Sequence, residues 1–67
     1  MTAQEVIDNL EEKQKQKYLR LKKRGELQSY AQEEAQRINK EISEAIDRDQ
    51  ETPIPILREI IISQHFD

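Results

Sequence analysis

The side chains able to do covalent or metal chemistry are few: one histidine, His65, and no cysteine in 67 residues. Without thiols there are no disulfides and no thiolate metal sites, and a single imidazole cannot build a His-rich zinc or haem cage. Acid/base and nucleophilic catalysis rest on positioned neighbours, and His65 has no serine or cysteine nucleophile with a third partner in a recognisable arrangement. It reads as a histidine that is exposed or packed with the tail. Glu41 and Glu44 are spaced i, i+3, but a di-metal bundle needs Glu-x-x-His units on two helices, and the chain has none. Asp47-Arg48-Asp49-Gln50-Glu51 has the acidity of a calcium loop without its turn glycine or its twelfth-position glutamate, so it reads as a solvated helix end. The single glycine, Gly25, cannot form a phosphate loop. No catalytic residue, metal or cofactor is expected, and the chain reads as non-enzymatic.

The charged residues offer binding rather than catalysis. Seven of the eleven basic residues (Lys13, Lys15, Lys17, Arg20, Lys22, Lys23 and Arg24) fall within twelve positions that contain no acid, so residues 13–24 carry +7 while residues 1–12 carry −4 and residues 25–67 carry −6. Lys13, Lys17, Arg20 and Arg24 recur at i, i+4, i+7 and i+11, a continuous stripe that would suit phosphates along a nucleic-acid backbone or an acidic partner. The same stripe also suits ion pairs that flank an apolar seam, with Glu34 and Glu41 in matching positions on the second helix. Against nucleic acid stand a pI of 5.2 and aromatics limited to Tyr18, Tyr30 and Phe66, too scattered for a base-stacking platform. The two long helices read below also leave no compact helix-turn-helix.

The elements that would position these groups are helical. Thr2 with Glu5 is a capping box that starts a helix. Ala3, Val6, Ile7, Leu10, Tyr18 and Leu21 then share one side, Lys22, Lys23 and Arg24 suit the last turn, and Gly25 suits the left-handed stop. That first helix, about 2–24, has no apolar residue across positions 11–17. The second, about 26–50, carries the better seam, Ala31, Ala35, Ile38, Ile42 and Ala45, flanked by Leu27, Tyr30 and Ile46. Ser29 with Gln32 is a second capping-box match, so this helix begins anywhere from Glu26 to Tyr30. Thr52-Pro53-Ile54-Pro55 cannot continue it, because proline lacks the N–H and restricts the residue before it. Residues 52–55 therefore read as a rigid linker between a helical hairpin, 1–51, and an apolar C-terminal segment, 56–67, in a single domain.

That segment is the densest apolar stretch of a hydrophilic chain, whose mean hydropathy is −1.01. As a helix it groups Ile56, Leu57, Ile60 and Ile61 and leaves Arg58 and Ser63 outside; as a strand it puts Arg58 among the isoleucines. Its β-branched content favours strand, while the early proline and the Arg58-Glu59 pair favour helix, the reading adopted here.

The fold class expected is all-α: an antiparallel hairpin with a short C-terminal helix. Below about 70–80 residues one core rarely supplies more than about 3–5 kcal/mol, so a second copy is expected to complete a four-helix bundle. Ile7, Leu10, Tyr18, Leu21, Ala31, Ala35, Ile38, Ile42 and Ala45 would form that oligomer interface. Ile56, Leu57, Ile60, Ile61 and Phe66 would anchor a partner, as in an antitoxin or inhibitor. The function expected is a regulatory protein-protein interaction module in the cytoplasm, with a small nucleic-acid-binding regulator as the alternative, and no membrane span, since the longest apolar run is Ile60-Ile61-Ile62.

Overall fold

Thr2 starts the first helix as its spacing suggests: its hydroxyl oxygen accepts the Glu5 backbone N–H at 3.2 Å and the hydroxyl donates to the Glu5 carboxylate at 3.2 Å. In the computed structural model, which describes residues 1–66, helix α1 runs Ala3–Lys13, α2 Lys15–Arg24, α3 Leu27–Arg48 and α4 Ile54–Phe66. The described residues are thus all-helical, and the C-terminal segment is a helix rather than a strand.

The expected first helix is broken in two at Gln14, whose backbone (φ −134°, ψ 59°) leaves the helical region. No glycine or proline causes the break. It falls inside the 11–17 stretch, where no apolar side chain packs the segment onto a neighbour, so helical continuity there has only marginal intrinsic propensity behind it. Gln14 uses the departure to donate from its side-chain amide to the Phe66 carbonyl at 3.3 Å, which ties the α1/α2 junction to the end of α4.

Gly25 ends α2 in the left-handed region (φ 71°), and two bonds close the turn: Gly25 N–H to the Lys22 carbonyl at 3.2 Å and Glu26 N–H to the Leu21 carbonyl at 3.0 Å. This is the Schellman pattern, which satisfies carbonyls the helix end would orphan. The chain reverses here, so that Lys17 lies over the Tyr30 ring and Asn39 exchanges bonds with Met1, donating to its carbonyl at 2.8 Å and accepting from its backbone nitrogen. Ser29 is not the cap of α3; the helix starts at Leu27, and the Ser29 hydroxyl donates to the Glu26 carbonyl.

The end of α3 is more ordered than a frayed helix end. Asp49 accepts from the backbone N–H groups of Glu51 and Thr52, both at 3.1 Å, and from the Thr52 hydroxyl at 2.7 Å. These bonds, the Thr52 hydroxyl foremost, hold the Asp49 carboxyl below its ordinary value. The turn delivers the chain to α4, which begins at Ile54, two residues earlier than the expected segment and with Pro55 in its first turn, where a missing N–H costs nothing.

The core lies where α1, α3 and α4 meet. Val6, Leu10, Ala31 and Ile38 are fully enclosed, and Ile7, Ala35, Ile42, Ile61 and Phe66 complete the buried cluster. α2 touches α1 and α3 but not α4, and none of its residues is buried. The molecule is accordingly long, 42 × 18 × 13 Å, with a three-helix body at one end and a two-helix arm at the other.

Candidate functional site

Two features emerge that combine charge with incomplete cover: the face of α4 with its histidine, and the basic arm. On α4, alternate positions do not share a fate. Leu57, Ile61 and Phe66 turn inward and are buried, whereas Ile56 and Ile60 remain 47% and 49% exposed, one turn apart. Arg58 and Ser63, expected outside, are partly covered instead. The cause is the phase of the helix: α4 aligns Leu57, Ile61 and His65, at i, i+4 and i+8, toward α3, and this rotates Ile56 and Ile60 outward. Five residues expected to act together as anchors are therefore split into a buried three and an exposed two.

His65 ties α4 to α3 in that rotation. Its Nδ1 donates to Glu34 Oε1 at 2.8 Å and its Nε2 donates to Glu41 Oε2 at 2.7 Å. An ionised carboxylate only accepts and a neutral imidazole has only one N–H, so both bonds form together only with the imidazolium. Burial is the largest single influence on the ring and opposes its charge, yet the hydrogen bonds to Glu41 and Glu34, with the negative charge of both, outweigh it and raise the His65 pKa above 6.5. The Glu34 side chain is only 9% exposed and is held from its other oxygen by Arg37 Nη1 at 3.2 Å; Glu41 is 45% exposed. Glu34 and Glu41 stand two turns apart on α3, and the ring bridges them. They were expected to pair with the basic stripe, and they clamp α4 to α3 instead. With both ring nitrogens engaged, neither is left to serve as a base. Among the described residues no group of three or more His, Asp or Glu side chains is arranged to hold a metal ion.

The basic arm is α2 with the start of α3. Lys13, Lys17, Arg20 and Arg24 are all exposed, but the break at Gln14 puts Lys13 on α1 and the other three on α2, so the expected stripe does not run along one continuous helix. Lys17 lies 4.7 Å from the Tyr30 ring centre, Lys22 5.8 Å from that of Tyr18, and Arg24 Nε 3.7 Å from Glu26. Tyr18, Leu21, Leu27 and Tyr30 are half-buried between the two helices, and Leu19 is 51% exposed. Lys15, Arg20 and Lys23 have no ion-pair partner among the described residues. α2, like α3, begins without a side-chain cap and with no acid in its first turn, but unlike α3 it has no buried residue to compensate.

Of the nine residues read as an oligomer seam, Ile7, Leu10, Ala31, Ala35, Ile38 and Ile42 close against one another inside the single chain, while Tyr18, Leu21 and Ala45 are partly covered at its edge. Val6 is as fully enclosed as Leu10 and belongs with them. Asn39 and Gln14, which tie the chain ends to the body, carry no sequence signal beyond being amides. No helix among the described residues is long and apolar enough to cross a membrane. Comparison with protein-family models, with curated proteins and with solved structures gives no match to this chain.

Proposed function

We propose that the protein is a small non-enzymatic interaction module that acts by occupying a surface on another polypeptide, and that it associates with itself. The observation that carries this reading is the pair Ile56 and Ile60, side by side and half exposed on a helix whose opposite face is already buried. Large apolar side chains placed together on a helix face, on a chain otherwise so polar, mark a contact surface more readily than a solvated one. Because the seams of α1 and α3 are closed within the chain, a four-helix bundle built from those seams would require opening the core. Self-association through the outer face of α4 requires no such rearrangement. The same reasoning narrows an antitoxin-like or inhibitor-like docking of the tail to Ile56 and Ile60, since Leu57, Ile61 and Phe66 are engaged in the protein's own core.

The test is the pair substitution Ile56→Asp with Ile60→Asp. Both positions are exposed, so helical content by circular dichroism is expected to match the wild type, while sedimentation velocity shows loss of self-association. A variant that associates as the wild type does would refute the assignment of this face.

A second reading, binding of nucleic-acid phosphates, is favoured by one observation: Lys15, Arg20 and Lys23 on exposed α2 have no ion-pair partner among the described residues. It is checked by gel shift with duplex DNA and with RNA at low salt, where Lys13, Lys17, Arg20 and Arg24 changed to glutamine would abolish a shift. Absence of any shift for the wild type removes this reading.

A further inference from the structure

The fold sorts charge by position as well as by sequence. The arm, residues 15–33, holds six bases and two acids, a net +4; the remainder of the chain holds five bases and twelve acids, a formal net −7 with His65 counted as neutral. The surface acids of that remainder include Glu44, Asp47, Glu51 and Glu59, all exposed and without a cationic partner among the described residues. The exposed isoleucines of α4 therefore lie on the negative body, and the exposed Leu19 on the positive arm.

Resting on the reading of self-association above, we propose that the outer face of α4 is covered by the basic arm of a second copy, in a two-fold, side-by-side pair in which each arm lies on the other chain's body. The symmetry makes the two contacts identical and closes the assembly at two chains. The competing arrangements fail on charge or on size. Arm against arm apposes two sets of +4, and body against body apposes two sets of −7. End-to-end contact offers only the 18 × 13 Å cross-section, about 230 Å², whereas the 42 × 18 Å flank approaches the roughly 800 Å² per partner of a standard interface. Leu19 then meets Ile56 and Ile60 in an apolar centre, with Lys15, Arg20 and Lys23 at the rim facing Glu51 and Glu59.

Two charge-reversed variants of the full chain test the arrangement. One carries Lys15→Glu, Arg20→Glu and Lys23→Glu, which turns the arm from +4 to −2; the other carries Glu44→Lys, Asp47→Lys, Glu51→Lys and Glu59→Lys, which turns the body from −7 to +1. Every changed residue is exposed, and circular dichroism verifies that each variant keeps its helices. By analytical ultracentrifugation each variant alone is expected to self-associate at least about tenfold more weakly than the wild type, and an equimolar mixture to recover a mixed dimer, because both of its arm-body contacts are again of opposite sign. Variants that dimerise as tightly as the wild type, or a mixture that stays monomeric, would overturn the arm-on-body arrangement while leaving self-association through another surface intact. A wild type that is monomeric throughout would overturn the underlying reading as well.

Discussion

Replacing His65 with glutamine removes the one charge that Glu34 and Glu41 share, and the consequence for stability can be worked from the geometry. A hydrogen bond to a charged group contributes about 1.5–3 kcal/mol when shielded. The bond to Glu34 is of this kind, since that side chain is 9% exposed, whereas Glu41 is 45% exposed and its share falls toward the roughly 0.2–1 kcal/mol of a surface pair. Glutamine retains one donor group, and Arg37 still holds Glu34, so the expected net loss is about 2 kcal/mol. For a domain of this size that lowers Tm by about 8–16 °C. The effect must also depend on pH in a definite direction. The folded His65 pKa is raised above 6.5, so the stabilisation is complete below that value and is lost as pH rises through the folded one. Thermal melts followed by circular dichroism from about pH 6 to about pH 9 should therefore show the gap between wild type and variant largest at the acid end and narrowing with rising pH. Glu34→Gln is expected to cost more than Glu41→Gln. A gap that stays constant across that range, or a variant as stable as the wild type at about pH 6, would refute the imidazolium clamp.

Other perturbations probe the remaining elements. Ile38→Val, at a fully buried position, is expected to cost about 1 kcal/mol and lower Tm by about 4–8 °C, while Leu10→Ala, at about 2–5 kcal/mol, removes most of what so small a core supplies and is expected to bring the midpoint of chemical denaturation close to zero denaturant. Gly25→Ala meets no atom within 4 Å of the new Cβ, so its whole cost is the left-handed backbone, about 1–2 kcal/mol, measurable as a lower urea midpoint with an unchanged slope. Truncation after Gln50 removes Ile61 and Phe66 from the buried cluster and is expected to abolish cooperative unfolding. A truncated chain that keeps full helicity and a sharp melt would mean that α4 is an appendage.

What the sequence reveals here is local. Thr2 with Glu5, Gly25 after three bases, and the 4, 3, 4, 3 spacing from Ala31 to Ala45 each act within one helix, and each has its expected structural counterpart. What it conceals depends on contacts distant in the chain. The break at Gln14 is foreshadowed only by the apolar gap of 11–17, and its position is tied to Phe66, 52 residues away. The outward turn of Ile56 and Ile60 follows from the rotation of α4, to which an all-apolar helix face gives no clue, because Ile56-Leu57 and Ile60-Ile61 offer two nearly equivalent ways to face the core. His65, bonded to Glu34 and Glu41, and Phe66, buried and held through its carbonyl by Gln14, accompany the face that is adopted. The partners of His65, Glu34 and Glu41, are recognisable in sequence as two acids on one face of α3, but nothing in their spacing says that a histidine from the tail will bridge them. Asp49 is similar: the acidic run looks like a frayed end until Thr52 folds back onto it.

The central claim, that this chain works through a surface and first of all through a second copy of itself, is tested most directly by molar mass from light scattering over a concentration series at low salt. The expected result is a rise from 8.0 kDa toward twice that value, reversed by added salt because the rim of the contact is ionic. A mass that stays at 8.0 kDa at every concentration would contradict it.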